Sequence, residues 1–297
     1  ASCHNASQPM AWTNVLQREF TIWAEHDAHS DAYVDLKSDR ADRIAARLGI
    51  DRATRARTCL RCHSDYVPRA RRGENYAIGD GVGCEACHGG AEDYLGSHSS
   101  GTATRAENLA NGMYPTEKPA ARARLCLGCH LGRRDEPMRH RLHGAGHPRL
   151  TFELDTYAEV RPAHHRVDQD YLQRKQGSYG ARAWAIGQVA TARRRLEILV
   201  AHPGDGSSLY PELSHFECYG CHRRTDGAAP TPGTAPRTKD AALQMAEVIA
   251  HVYEPGLEGV LAAGIERLHA AAREGRAEWV DAAADLRAPL ARLAEAL

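Results

Sequence analysis

Four places in this 297-residue sequence carry two cysteines separated by two residues and followed at once by a histidine. They are Cys59 and Cys62 before His63, Cys84 and Cys87 before His88, Cys126 and Cys129 before His130, and Cys218 and Cys221 before His222. Thiols at this spacing can close disulfides or, taken two pairs at a time, ligate structural zinc. The histidine argues for a third chemistry. With 17 His in 297 residues, four such coincidences have a chance of roughly one in a hundred thousand. C-x-x-C-H is the attachment signature of c-type haem: each thiol forms a thioether with a vinyl group, and the adjacent His lies under the iron as its proximal ligand. Attachment of this kind needs reduced thiols outside the cytoplasm, so a periplasmic or extracellular location is expected.

The ninth cysteine, Cys3, is followed by His4. The preferred reading is a fifth motif, C-A-S-C-H, whose first Cys precedes Ala1. A haem held by the single thioether of Cys3, with His4 as ligand, is a second reading, and an incidental Cys-His pair a third. Five haem c groups are therefore expected, four of them from complete motifs.

The second axial ligand decides what such haems can do. Iron with His on both faces passes electrons, whereas a five-coordinate iron can bind and transform a small molecule. Twelve His lie outside the five Cys-His positions. His98, in GSHSSG, follows a motif in a glycine-containing stretch. His147, in GAGHPRL, is preceded by small residues that let backbone approach a porphyrin face, and Pro148 fixes the turn after it. His29, with His26 as its local rival, and His140, His164 and His165 are further candidates. His202, His215, His251 and His269 read as ordinary hydrogen-bonding histidines, with His215 the foremost exception because it lies just before the last motif. The arginine runs at 69, 71 and 72 and at 193 to 195 can pair with haem propionates or simply form solvated faces.

S-C-H near the start, followed by Trp12, then C-L-R-C-H, G-V-G-C-E-A-C-H-G-G and G-S-H ten residues on, resembles the cytochrome c-554 family of multihaem electron carriers over roughly residues 1 to 225. The stretch GAGHPRLTFE is similar to a segment of larger multihaem cytochromes related to that family. The resemblance implies haem c, electron transfer, and His29 as an early distal ligand. It also permits one five-coordinate haem.

These residues must be positioned by elements that composition limits. Aromatics are 6% with three Phe, so macrocycles are expected to fill the core that large rings normally fill. Lys plus Arg and Asp plus Glu are both 38, which offers no electrostatic case for nucleic acid or an anionic membrane. No apolar run approaches the ~20 residues of a membrane span, and the chain reads as mature or trimmed and soluble. Residues 10 to 36 suit helix with interruptions. Residues 38 to 58 read as two short helices broken at Gly49, the first capped by Ser38 or Asp39. Gly73 to Gly101 reads as loop around porphyrin, and 181 to 202 as one long helix. The expected fold is mainly α, with short helices and long loops wrapped around a stack of haems and little β. Three segments are expected: a multihaem domain over 1–225, a Pro/Gly-rich linker over 226–238, and a haem-free helical segment over 239–297 broken at Pro255-Gly256, near Gly275 and at Pro289.

The function expected is electron transfer between redox partner proteins through mostly bis-His haems, with an assembly of identical subunits into an extracellular filament as a special case. The alternative is a haem enzyme or sensor acting on a small nitrogen or sulfur compound. No nucleic acid and no transmembrane segment are expected, and an electron carrier is favoured over an enzyme.

Overall fold

The computed structural model describes residues 4–6, 16–175, 180–204, 211–222 and 237–297. Cys3, Trp12 and residues 226–236 of the expected linker lie outside them. The helices are α1 (Glu19–His26), α2 (Asp39–Leu48), α3 (Arg57–His63), α4 (Cys84–His88), α5 (Leu95–Ser100), α6 (Arg105–Ala110), α7 (Pro119–His130), α8 (His140–Gly144), α9 (Leu154–Val160), α10 (Gln169–Lys175), α11 (Ala181–Ala201), α12 (Ala241–Tyr253), α13 (Glu258–Glu274), α14 (Arg276–Asp285) and α15 (Arg287–Ala296). Among the described residues there is no strand; pairing is limited to two isolated bridges, Gly132 with Pro137 and Phe216 with Thr238. The protein is mainly α, as expected. The chain divides into two compact units: Ala1–Leu125 with Asp155–Ser178, and Cys126–Leu154 with Tyr179–Leu297.

In the first unit, α2 begins where Ser38 Oγ accepts the Ala41 N–H at 3.2 Å and ends on Gly49 at φ 71°, a left-handed turn that glycine adopts without strain. Its Ala41 and Ala45 are buried with Leu36, Ala53 and Leu60. Leu60 lies between Cys59 and Cys62, so this small cluster anchors the α3 turn that carries both cysteines. Gly81, also at positive φ, lets residues 81 and 82 lie against 29 and 30: a Cβ there would sit 2.5 Å from the His29 and Ser30 carbonyl oxygens. Val82 N–H donates to His29 O at 2.8 Å, and the Trp23 indole donates to Val82 O at 3.0 Å. The stretch leading into Cys84 is thereby tied to the stretch carrying His29.

The second unit is built differently. α11 buries Ala185, Val189, Ala192, Leu196 and Leu199 against α12, α14 and α15, with Leu243, Leu261, Leu268, Leu290 and Leu293 in the same core. Gly187 gives way to Leu154, whose Cβ would be 2.6 Å from a Cβ placed there. Trp279, fully buried, stacks on Phe216 at 5.1 Å and 18°, which fixes the segment entering Cys218. Asp240 accepts hydrogen bonds from Arg237, Gln244 and His269. Burial alone would raise its carboxyl pKa, but the bonds from Arg237 and His269 outweigh it and hold it low. Among the described residues no helix is long and apolar enough to cross a membrane.

Candidate functional site

The cysteines of the four C-x-x-C-H sequences sit on short turns. Cys59 and Cys62 lie in α3, Cys84 and Cys87 in α4, Cys126 and Cys129 in the last turns of α7, and Cys218 and Cys221 at the 3₁₀ turn Cys218–Gly220 and just after it. All eight are unbridged thiols, half-buried apart from the exposed Cys84 and Cys221. Burial, with Cys62 beside it, raises the Cys59 thiol pKa, and burial raises that of Cys84. Among the described residues no three of His, Cys, Asp or Glu gather as they would around a bare metal ion.

Three histidines that follow a cysteine face a second histidine. His4 and His98 lie with ring centroids 6.3 Å apart and planes at 6°. His88 and His164 are 6.1 Å apart at 85°, and His222 and His140 are 6.0 Å apart at 26°. Two imidazoles that ligate one metal through Nε2 from opposite faces, at about 2 Å per bond, have centroids roughly 6 Å apart. Desolvation keeps several of these rings neutral, the form that ligates. Burial first, and Arg161 second, brings His164 down to about 4 and also lowers His88; burial chiefly lowers His98.

Neighbouring groups orient the rings. His63 Nδ1 lies 2.7 Å from Ala32 O, a bond in which the ring donates and which fixes its tautomer. Asp27, 5% exposed, accepts from both the His29 backbone N–H at 3.0 Å and His29 Nδ1 at 2.8 Å. Burial would raise the Asp27 carboxyl, but these His29 bonds hold it below the usual range. His4 Nδ1 is similarly placed 3.0 Å from Glu19 Oε2. In the second unit Glu212, 2% exposed, accepts the His140 N–H at 2.8 Å and the Ser214 N–H at 3.0 Å, clamping the turn that presents His140.

His29 and His147 stand outside the three pairs. His147 lies 6.4 Å from His143 and its Nδ1 is 2.9 Å from Pro148 O. His130 packs 5.5 Å from Phe152, and His165 lies 5.6 Å from His164. His202, His215, His251 and His269 are engaged with Arg134 O, His202 O, Glu258 and Asp240. Of the arginine runs, 69, 71 and 72 are exposed, with Arg72 over the Tyr76 ring at 4.8 Å. Arg194 pairs with Glu197 at 3.3 Å.

Asp27, Glu19 and Glu212 were not foreseen from sequence. The Asp-x-His spacing at 27 to 29 was a readable signal, because an Asp side chain reaches backbone and ring two residues on. The bond from His140 to Glu212 had none, since the two lie 72 residues apart.

Residues 1–89 match the family described as cytochrome c554 and c-prime. Over that stretch the chain is similar to the cytochrome c554 family. The match spans Cys3-His4 and the motifs at Cys59–His63 and Cys84–His88, and it implies haem c as cofactor and electron transfer as activity. No curated protein and no solved structure matches the chain.

Proposed function

We propose that this chain is a multihaem c-type cytochrome that relays electrons between redox partner proteins through mostly bis-His haems, outside the cytoplasm. The observation that carries the reading is the set of three His pairs at 6.0 to 6.3 Å, each containing the His of a Cys-His sequence. Haem c supplies a one-electron iron couple when bound. The chain's own residues attach it through Cys59 and Cys62, Cys84 and Cys87, Cys126 and Cys129, and Cys218 and Cys221. His63, His88, His130 and His222 serve as proximal ligands; Cys3 and His4 hold a fifth haem. His98, His164 and His140 close the second faces of the haems at His4, His88 and His222. His29 and His147 remain the candidates for the haems at His63 and His130. Closed coordination favours a carrier over an enzyme.

The filament variant of this reading needs subunit-to-subunit haem contact rather than a shared ligand at the first site, because His98 meets His4 within one chain. Electron microscopy of the purified protein separates polymer from monomer. Intact mass counts the haems, and four instead of five removes the assignment of Cys3 and His4. The central test is quantitative electron paramagnetic resonance of the oxidised holoprotein. All iron is expected to be low-spin, and His98→Ala, His140→Ala and His164→Ala should each convert one iron to high-spin. A high-spin haem in the unmodified protein would move the reading to a haem enzyme or sensor.

A further inference from the structure

The second unit contains a cavity whose lining divides into two chemistries. Leu196, Leu199, Leu243 and Leu268 make it apolar, while Arg149, Arg195, Lys239 and Thr238 also open onto it. The cations are poorly compensated. Arg149 has Glu217 at 3.8 Å, and among the described residues no carboxylate reaches Arg195 at ion-pair distance. Lys239 donates to Ser214 O at 2.8 Å, which occupies one of its three hydrogens. Burial lowers the pKa of Arg195 and of Lys239, the mark of cations taken out of water. Thr238 is 3% exposed, and its Oγ1 has no hydrogen-bond partner. A buried hydroxyl and two half-buried cations left this way are costly unless a ligand completes them.

Three cations against the one carboxylate of Glu217 leave an excess of two positive charges. A haem carries two propionates on one edge of an otherwise apolar disc. Leucine walls suit such an amphiphile better than a hydrated small ion. The cavity is also tethered to an attachment site: Phe216 bridges Thr238, Glu217 N–H donates to Arg237 O at 2.8 Å, and Lys239 N–H donates to His215 O at 2.8 Å. Cys218 follows directly, and its sulfur lies within electrostatic range of both Arg195 and Lys239.

We propose that Arg195 and Lys239, with Arg149 and Thr238, form the propionate-binding cradle for the haem attached at Cys218 and Cys221. The proposal rests on the reading of Cys218 to His222 as a haem site. Its consequence is electrostatic. Removing one cation leaves uncompensated negative charge beside the iron, which favours the oxidised state and lowers that haem's midpoint potential.

The test is a potentiometric titration of the holoprotein followed haem by haem by electron paramagnetic resonance. His140→Met, by changing an axial ligand, marks the haem at His222. Arg195→Met and Lys239→Met keep much of the apolar stem and should each lower the midpoint of the marked haem alone. Lys239→Arg should restore it, which a merely structural role would not. No shift, or a shift confined to another haem, overturns the proposal. So does stoichiometric binding of nitrite, sulfite or phosphate that Arg195→Met abolishes without moving any midpoint, because the cavity would then serve a free oxyanion. Failure of the underlying reading looks different: the mass of the peptide holding Cys218 and Cys221 would lack haem.

Discussion

The two units are of nearly equal length, yet among the described residues one closes an apolar core of 23 buried residues while the clustered core of the other is Leu36, Ala41, Ala45, Ala53 and Leu60. The second unit folds as helices ordinarily do, by burying Leu and Ala along α11 to α15. The first spends its interior on half-buried Cys, His and Arg and on backbone turns around α3, α4 and α5. A region with so little apolar burial cannot offset the entropy of ordering its chain through peptide contacts alone. Under the proposed function, the haems supply the difference.

The largest test of that contrast is the chain without haem. Made without haem attachment, it should lose amide-exchange protection over 16–125 and keep it in α11 and α12 to α15, read by hydrogen exchange with mass spectrometry. Protection of both units alike would break the comparison.

Leucine truncation sharpens it next. Leu261 is fully buried in the helical core, so Leu261→Ala should cost about 2–5 kcal/mol in chemical denaturation while every haem signal stays unchanged. Leu60, 4% exposed, lies between Cys59 and Cys62 in α3, the turn proposed to attach a haem. Leu60→Ala should instead perturb one low-spin haem signal, because the residue positions Cys59 and Cys62 as much as it fills space.

Much of this was legible in the sequence where a rule is local. Ser38 and Gly49 bounded α2 as their types required, and the apolar spacing over 181 to 202 gave α11. The C-terminal breaks near Pro255 and Gly275 are present, but the one expected at Pro289 falls at Leu286 instead. Pro289 sits in the first turn of α15, where a missing N–H breaks no intrahelical bond. Gly73 to Gly101 was expected as loop and contains α4 and α5. The facing of His88 by His164 was not readable, because only the folded chain brings residues so far apart in sequence together. For the same reason sequence could not single out Arg195 from Arg193 and Arg194: two helical positions separate the exposed Arg193 from the cavity wall at Arg195.

Acid should loosen the second unit. His215 is 9% exposed, and burial brings it down from 6.5 to about 4. Between those values the unfolded chain takes up a proton that the native state refuses. Stability is therefore full above pH 6.5 and falls as the pH drops toward 4, by about 3 kcal/mol in all for this group. His215→Gln, which can still donate to His202 O, should flatten that fall in exchange measurements on α12 and α13.

The smallest effect separates local peptide physics from haem support within the first unit itself. Ser38→Ala removes the cap of α2, which costs about 1 kcal/mol in typical hosts. No Cys or His lies between Asp39 and Leu48, so this helix carries neither attachment nor ligand, although its Ala41 and Ala45 share the cluster that holds Leu60. If the haems hold the unit, Ser38→Ala should speed exchange in α2 alone and leave the haem signals and the rest of the unit as they were. If the five-residue cluster holds it, the same loss should spread through Leu60 into α3 and shift the signal of the haem at His63. The two results differ in extent rather than in sign, so exchange must be read residue by residue in the haem-loaded protein.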